Sequence, residues 1–525
     1  MRRGGARNAT ALLVLALVSL SLSARADVEF KFGGQVSADL RYRLHGEEVP
    51  AYGTDATFPS QQRLLKYGFS RNENRIKTQL SLSIAQRVKA VADVDFVFYG
   101  YSDVKDLNAT LYRERVDPYY LESDAAYLDV YRILPHLDLR MGRQIVSWGA
   151  ADKFNPTNNL NTLDYSDPLL FGKALANQMI RLDWNPIADL IITAVWVPIF
   201  RPSRLPRTAP LALTQINRPA PVQDATQRQE LGFLESIYTP NQINVYALQP
   251  QPSIQNSQVG TRVAGRFANI DMAVSYYYGR WGIPTPAWSI LQSNNVVNVG
   301  VVWPKMQVAG FDFAGTIDKL GGMGWWVEGG VFFPQKVTYG LYNALQPGQW
   351  DSVTFAKNGQ GQYGSYKLGY PEKDRGVVIP STPFLKLTVG ADYSFNKHVY
   401  ANFQYVYGFI DEFGAGRSAF ARPGSMLGDA ARTEARIGHY LVAGADFKLF
   451  NDQLLLRFFG AFKVPQVGDE SPHFTAVLFP QIVWAVWDAT ELSLGSFVFL
   501  GPKDSKFGDP SVGATELFLK AKFTY

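Results

Sequence analysis

Long stretches of the sequence alternate apolar and polar residues with a period of two, and this alternation limits the fold more than any other feature. Near the start, Val36, Ala38 and Leu40 form one set, while Ser37 and Asp39 form the other. Successive side chains of a strand point to opposite faces, so each such stretch predicts a strand with one apolar and one polar face. The pattern recurs along most of the chain and predicts an all-β protein.

Two kinds of connection join the predicted strands. Tight turns are predicted at Gln86-Arg87, Ala268-Asn269, 396–398, Asn451-Asp452 and Pro304-Lys305. Long polar connections are predicted at 45–72, 101–118, 199–256, 343–382 and 410–433. This alternation predicts a closed antiparallel transmembrane β-barrel with short periplasmic turns and long extracellular loops. We expect about 18 strands (range 16–20), with 323–342 counted as a loop; a further hairpin there gives about 20.

A soluble β-sandwich or propeller is the alternative for a chain with this periodicity. The apolar faces carry aromatic residues near the strand ends, among them Phe96, Tyr276 and Trp303, as is typical of rings at membrane interfaces. The opposite faces carry charges at mid-strand, such as Asp93 and Arg262, which a soluble core does not accept. Both features favour the membrane barrel.

The first 26 residues predict a secretory signal peptide that is cleaved after Ala26. Three arginines within residues 2–7 precede an apolar run at 11–22, and an A-x-A pattern follows at 24–26. The run has about 12 residues, whereas a membrane-spanning helix needs about 20. We therefore expect 27–525 to form a single barrel domain in the outer membrane of a Gram-negative bacterium, surrounded by outer-membrane lipid and lipopolysaccharide.

Charge and cysteine content exclude several other classes. The predicted signal peptide holds four of the 51 basic residues, which leaves 47 against 46 acidic ones in the remainder. Such a balanced chain gives no reason to expect a nucleic-acid partner. The chain has no cysteine, so it has neither disulfides nor a lipid-anchored cysteine. None of the five histidines has metal-ligand spacing, and we expect no metal and no cofactor.

The last thirteen residues, GATELFLKAKFTY, predict a strand that runs to the final residue. Leu517, Leu519, Phe523 and Tyr525 fall on its apolar face. We expect this strand to close the barrel against the first one. It resembles the C-terminal signal of bacterial outer-membrane proteins, in which alternating apolar residues end on an aromatic one. That resemblance implies recognition of Phe523 and Tyr525 by the barrel-assembly machinery.

Alternation fails after Met141, and the residues that follow are neither strand-like nor helical. Gly142, Arg143 and Gln144 break the pattern, and a stretch rich in Asn, Asp and Pro extends to 168. A glycine inside a strand often marks a bulge or a close backbone approach. We expect a segment near 150–172 to fold inward and narrow the lumen; an ordered surface loop is the alternative. Its candidate functional residues are Trp148, Asp152, Asn155, Asn158, Asn159 and Asp164.

The motif GRQIVSWG at 142–149, followed by NPTNNLNTLD, resembles a bacterial outer-membrane barrel family of mostly unknown function with a G-R-Q-x-x-x-W-G strand. The portion 142–144 is also similar to barrels of the alginate-export type. This sequence has Asn161-Thr162-Leu163-Asp164 where the family prefers a proline. The resemblance implies a membrane barrel and passage of some solute. It implies no catalytic residue and no particular substrate.

Charged residues on the inward faces are the second candidate for function. Basic residues assigned to the pore lining are Arg41, Arg43, Arg75, Lys77, Arg140, Arg143, Arg181, Arg262, Arg266 and Arg457. Rings of such charges set pore selectivity, and a basic excess favours anions. Alternatively, opposite charges pair across neighbouring strands and only stiffen the wall.

The sequence predicts a channel, not an enzyme. We expect it to pass small hydrophilic solutes or an exported polymer through a charged lumen. One alternative is a barrel transporter that releases hydrophobic compounds laterally into the membrane. A second is a non-conducting surface receptor or adhesin. A barrel hydrolase needs a Ser–His pair, for which His439 is the one histidine within a predicted strand.

Overall fold

The computed structural model describes most of the chain outside its longest connections. The described residues are 28–45, 67–102, 104, 106–206, 242–291, 296–338, 340–343, 350–354, 362–366, 377–379, 381–410, 412, 437–465, 474–502, 505–508 and 513–525. The predicted signal peptide and much of the predicted loops at 45–72, 199–256, 343–382 and 410–433 lie outside these ranges.

Eighteen strands form one closed antiparallel barrel wall. The first nine are β1 (Val28–Arg43), β2 (Gly68–Ile84), β3 (Val88–Tyr99), β4 (Tyr119–Glu122 and Ala126–Leu134), β5 (Leu137–Gln144), β6 (Asn177–Ile187), β7 (Leu190–Val197), β8 (Gln258–Phe267) and β9 (Ile270–Arg280). The others are β10 (Lys305–Ile317), β11 (Met323–Pro334), β12 (Phe384–Ser394), β13 (Val399–Tyr407), β14 (His439–Leu449), β15 (Leu454–Val464), β16 (Thr475–Trp487), β17 (Thr490–Leu500) and β18 (Glu516–Thr524). Each strand pairs with its neighbours in sequence, and β18 pairs with β1.

The short turns lie at one end of the barrel, and four of the five turns that the sequence predicts are among them. Ala268 and Asn269 join β8 to β9 with φ values of 49° and 63°, the left-handed pair that a two-residue hairpin requires. The predicted turns at 86–87, 396–398 and 451–452 also connect neighbouring wall strands. The predicted turn at Pro304-Lys305 is wrong, because Lys305 begins β10 at the opposite, long-loop end.

Two stretches exchange the places that the sequence predicts for them. Residues 323–342 are not a loop, since β11 fills a wall position between β10 and β12. Val296–Val302 instead pairs with Gln242–Leu248 and Thr285–Leu291 in a separate four-stranded sheet. Both stretches alternate, so periodicity alone cannot tell them apart. The exchange leaves the strand count at 18.

The outer and inner faces of the wall differ as a membrane barrel requires. Leu40, Leu80 and Phe96 are each 39–43% exposed on the outer face. Their inward neighbours Asp39 and Asp95 are buried. An apolar exterior with closed backbone pairing suits hydrocarbon on the outside and polar groups within. Among the residues that the structure describes, no helix is long and apolar enough to cross a membrane.

The closing seam depends on a glycine. The Gly34 N–H donates to the Tyr525 carbonyl over 2.9 Å, and the Tyr525 N–H donates back over 3.0 Å. A Cβ on Gly34 would stand 2.1 Å from the Lys77 carbonyl oxygen, whereas a Cβ on Gly33 would meet nothing closer than 3.2 Å. Phe523 lies on the outer face. Recognition of Phe523 and Tyr525 by the assembly machinery stays a prediction.

We expect Gly34→Ala to impair barrel closure more than the matched Gly33→Ala. The added methyl group must displace the backbone of β2, and such overpacking typically costs about 1–3 kcal/mol or more. The measurement is the fraction of refolded protein that keeps its compact, heat-modifiable mobility in electrophoresis. Equal folded fractions for the two variants would contradict the seam described here.

Candidate functional site in the barrel lumen

The connection between β5 and β6, residues 145–176, lies inside the barrel, and we call it the lumen loop. Its side chains Trp148, Phe154 and Leu160 are buried. The loop contacts the inner wall on several sides, at strands that are far apart in the sequence. It therefore crosses the lumen, and it includes the segment near 150–172 that the sequence predicts to fold inward.

Glu328 of β11 is the anchor at one side of the lumen loop. Its carboxylate accepts the backbone N–H groups of Ala150, Ala151 and Thr157, each over 2.9 Å. It also accepts the Thr157 hydroxyl over 2.7 Å and the Asn155 amide over 3.0 Å. Glu328 has 0% of its surface exposed. A buried carboxylate with five donors fixes this part of the loop against the wall.

Gly149 makes the approach to Glu328 possible. Its φ is +99°, a backbone conformation that favours glycine. A Cβ at this position would stand 2.3 Å from the Glu328 carboxylate oxygens. The conformation and the close contact both require the glycine of the predicted motif.

Asp167 is the anchor at the opposite side. It accepts the Arg41 guanidinium through two hydrogen bonds of 2.7 and 2.9 Å, and that of Arg71 through one of 2.7 Å. Arg41 also donates twice to Asp39, over 3.0 and 2.6 Å. Burial disfavours the charged form of Asp167, but Arg71 and Arg41 outweigh it and hold the carboxyl pKa well below its usual range. The loop is thus ion-paired to β1 and β2.

The lowered pKa sets a pH window for this anchor. A carboxyl whose pKa is lower in the folded state stabilises the fold above its unfolded-state pKa, about 3.9 for Asp, and loses that contribution as the pH falls through the folded value. We expect the difference in unfolding free energy between wild type and Asp167→Asn to stay constant from pH 8 to about 5 and to shrink below. Urea titrations at each pH measure it. A difference that already shrinks between pH 8 and 6 would contradict the ion pairing.

Two apolar clusters pack the lumen loop between the anchors. The first joins its Val146, Trp148 and Leu160 to wall residues that include Met179, Val195, Tyr277, Met306 and Phe332. The second joins its Phe154 and Phe171 to Val406, Phe409, Tyr440, Val442, Ala461 and Phe507. The loop therefore has cores on both of its sides and is a folded element, not a loose strand of chain.

The other loop residues singled out by sequence also have defined contacts. The Asp152 carbonyl accepts a hydrogen bond from the side-chain amide of Gln404 in β13 over 3.2 Å. Asn158 accepts the Trp148 N–H over 3.4 Å, and Asn159 donates to the Pro156 carbonyl over 2.8 Å. Asp164 lies 3.6 Å from the Arg204 guanidinium.

Nine of the ten basic residues assigned to the pore lining lie within salt-bridge distance of an acid. The pairs are Arg41–Asp39, Arg43–Glu516, Arg75–Asp95, Lys77–Asp93, Arg140–Asp129, Arg181–Asp183, Arg262–Asp312, Arg266–Asp271 and Arg457–Asp446. The tenth, Arg143, donates to the Ser123 carbonyl. Pairing of this kind cancels much of the field that an excess of basic residues would produce.

Sequence reasoning missed Glu328 and Arg71, which hold the lumen loop. Glu328 lies in the stretch 323–342, which the sequence predicts to be a loop, and Arg71 lies in the predicted connection 45–72. A single inward Glu on an aromatic-rich stretch, WWVEGG, is the one local signal for the former. Within the described residues no group of three His, Cys, Asp or Glu is placed to hold a metal ion.

Comparisons with known proteins concern the fold alone. OccK9 of Pseudomonas aeruginosa is similar at 8% identity over 95% of this chain and 98% of its own, with a TM-score of 0.45. OccAB3 of Acinetobacter baumannii is similar at 9% identity over 95% of this chain and 99% of its own, with a TM-score of 0.44. A Rhodopseudomonas blastica porin variant is similar at 8% identity over 95% of this chain and 100% of its own, with a TM-score of 0.35. No family model and no curated protein matches the chain. The resemblances inferred from 142–149 are therefore not confirmed, and the fold assignment rests on the strand pairing above.

Proposed function

We propose that the chain is an outer-membrane channel for small hydrophilic solutes or an exported polymer, with the lumen loop as its constriction. The observation that carries this proposal is the loop's position inside a closed barrel, held by Glu328 on one side and by Asp167 on the other. A segment fixed across a lumen limits the size of what passes. A Gram-negative outer membrane is the location that such a barrel implies.

We further propose that wall charges give at most a weak anion preference. Each paired basic side chain contributes a local dipole and little net charge, so the nine paired residues act mainly on the stiffness of the wall.

The test is planar-bilayer conductance in a KCl gradient, for wild type and for a deletion of Asn155 to Asp167. We expect a small steady current from wild type and a severalfold larger one from the deletion. The far-ultraviolet circular dichroism of both proteins controls for barrel folding. Absence of current from both folded proteins would refute the channel.

A non-conducting receptor is the second candidate, favoured by the apolar packing on both sides of the lumen loop. Its prediction for the same experiment is no current from wild type and current from the deletion alone.

Lateral release of hydrophobic compounds has less support. It needs an opening in the wall, whereas strand pairing is continuous around the barrel. At the interruption of β4, the Asp93 carboxylate accepts hydrogen bonds from the backbone N–H groups of Asp124 and Ala125 and so bridges the gap.

A further inference from the structure

Strand β1 extends past its closing partner at the short-turn end of the barrel. On one side it pairs with β2 along its whole length, and Val28 lies opposite Ile84, beside the turn to β3. On the other side its pairing with β18 ends at Gly34, which exchanges two hydrogen bonds with Tyr525. Within the part of the chain that the structure describes, residues 28–33 therefore pair on one side only, and we call them the free edge.

The backbone of the free edge presents a row of hydrogen-bonding groups. Successive residues of a strand in an antiparallel sheet bond alternately to its two neighbours. Gly34 bonds to β18, so Phe32, Phe30 and Val28 direct their N–H and C=O groups to the same side, beyond the end of β18. Three N–H and three C=O groups are thus open to pairing, and a row of this kind is a template for another strand.

The side chains of the same three residues are apolar and face outward. Val28, Phe30 and Phe32 are 56%, 64% and 59% exposed, whereas Val36 and Leu40, further along the same face of β1, are 42% and 39% exposed. Water would satisfy the backbone groups but leave these side chains uncovered. Lipid would cover the side chains but leave the backbone groups unpaired. An added strand with the same alternation satisfies both.

The charged side chains of the free edge determine the direction of such a strand. Glu29 and Lys31 lie on the other face, are 58% and 70% exposed, and form an ion pair over 3.0 Å. An exposed pair contributes little to stability, so both groups are available to an incoming strand. An antiparallel strand with a lysine opposite Glu29 and a glutamate opposite Lys31 gains two cross-strand pairs. The same strand in the parallel direction meets like charges at both positions.

We propose that the free edge binds an extended segment of a periplasmic protein by antiparallel β-strand addition. The segment follows the line of β18 beyond Tyr525 and reads apolar, acidic, apolar, basic, apolar in its own N-to-C direction. Main-chain hydrogen bonds give the affinity, and the charges opposite Glu29 and Lys31 give direction and register. The free edge lies at the short-turn mouth of the barrel, so the bound protein is held beside the entrance to the lumen.

The test is fluorescence anisotropy of a labelled peptide, acetyl-TVEVKVT-amide, with the whole chain in detergent. The central valine of the peptide lies opposite Phe30 and directs its N–H at the free edge, whereas the backbone N–H of the peptide lysine points away. We expect methylation of the valine nitrogen to weaken binding by about tenfold or more. Methylation of the lysine backbone nitrogen is the matched control and should change binding by less than about twofold.

Phe30→Pro and Phe30→Ala form a matched pair in the protein. Both remove the ring, but only proline removes the N–H that faces the incoming strand. Proline leaves the pairing with β2 in place, because Glu29, Lys31 and Gly33 make those hydrogen bonds. We expect peptide binding to weaken by about tenfold or more in the proline variant and by at most about threefold in the alanine variant.

Equal binding of the two methylated peptides would overturn the proposal, and so would equal binding by the proline and alanine variants. Both results would mean that apolar contact alone, as with lipid or detergent, accounts for the attraction. The peptide comparison uses the wild-type chain and therefore stays decisive if Phe30→Pro fails to fold. Neither comparison depends on current through the barrel, so the conductance test and this one fail separately.

Discussion

Glu328→Ala is expected to raise the channel current severalfold and to make the lumen loop cleavable by trypsin at Lys153. The substitution leaves the five donors on Ala150, Ala151, Asn155 and Thr157 without their acceptor. A hydrogen bond to a charged group contributes about 1.5–3 kcal/mol, so the free energy that holds the loop against the wall falls by several kcal/mol. Bilayer recordings and timed proteolysis measure the two effects.

Asp312→Asn is the control for this experiment. It also removes one buried carboxylate from the inner wall, but its partner is Arg262 of β8 and not the lumen loop. We expect wild-type current and proteolysis from this variant. If it behaved like Glu328→Ala, general weakening of the wall would explain both, and the anchor would lose its support.

Asp167→Asn is expected to have the second largest effect, with both a higher current and a shift of the reversal potential toward anions. Removing one partner of a buried ion pair destabilises the remainder by about 3–5 kcal/mol, and here two guanidinium groups each lose one of two acidic partners: Arg41 keeps Asp39, and Arg71 keeps Glu73. The loop comes free on this side, while the inner wall beside it becomes more positive by one unit of net charge. Recordings in a KCl gradient measure both quantities.

Asp446→Asn separates those two consequences. It removes the carboxylate that pairs with Arg457 on the wall and leaves Glu328 and Asp167, the two anchors of the lumen loop, in place. We expect a shift toward anions with no increase in current. An Asp167→Asn channel with wild-type current would show that this ion pair does not hold the constriction.

The barrel could be predicted from sequence because its cause is local. Closed pairing with lipid outside and polar groups within imposes alternation on every strand, and that pattern is visible in each stretch by itself. The wrong strand assignments occur where strands inside and outside the barrel wall show the same apolar–polar alternation. Val296–Val302 alternates like a wall strand yet joins a separate sheet, and the glycines of β11 conceal that it belongs to the wall.

The lumen loop could be expected only in outline. A broken strand followed by Asn, Asp and Pro indicates irregular backbone, and irregular backbone is tolerated where it lines a cavity. The two anchors could not be predicted from the sequence. Glu328 contacts residues more than 170 positions away in the chain, and Arg41 contacts Asp167, which is 126 positions away. No period or motif in one sequence encodes such a pairing.

The most direct test of the central claim locks the lumen loop to the wall. A Cβ on Gly310 of β10 would stand 3.3 Å from the Thr157 Cβ, close to the 3.5–4.5 Å typical of a disulfide. The chain has no cysteine, so Thr157→Cys with Gly310→Cys introduces a unique pair. The measurement is single-channel current of this pair in the Glu328→Ala background, before and after reduction. We predict a small current while the disulfide holds and a severalfold rise on reduction. A large current in the oxidised state, or no change on reduction, would contradict the lumen loop as the constriction.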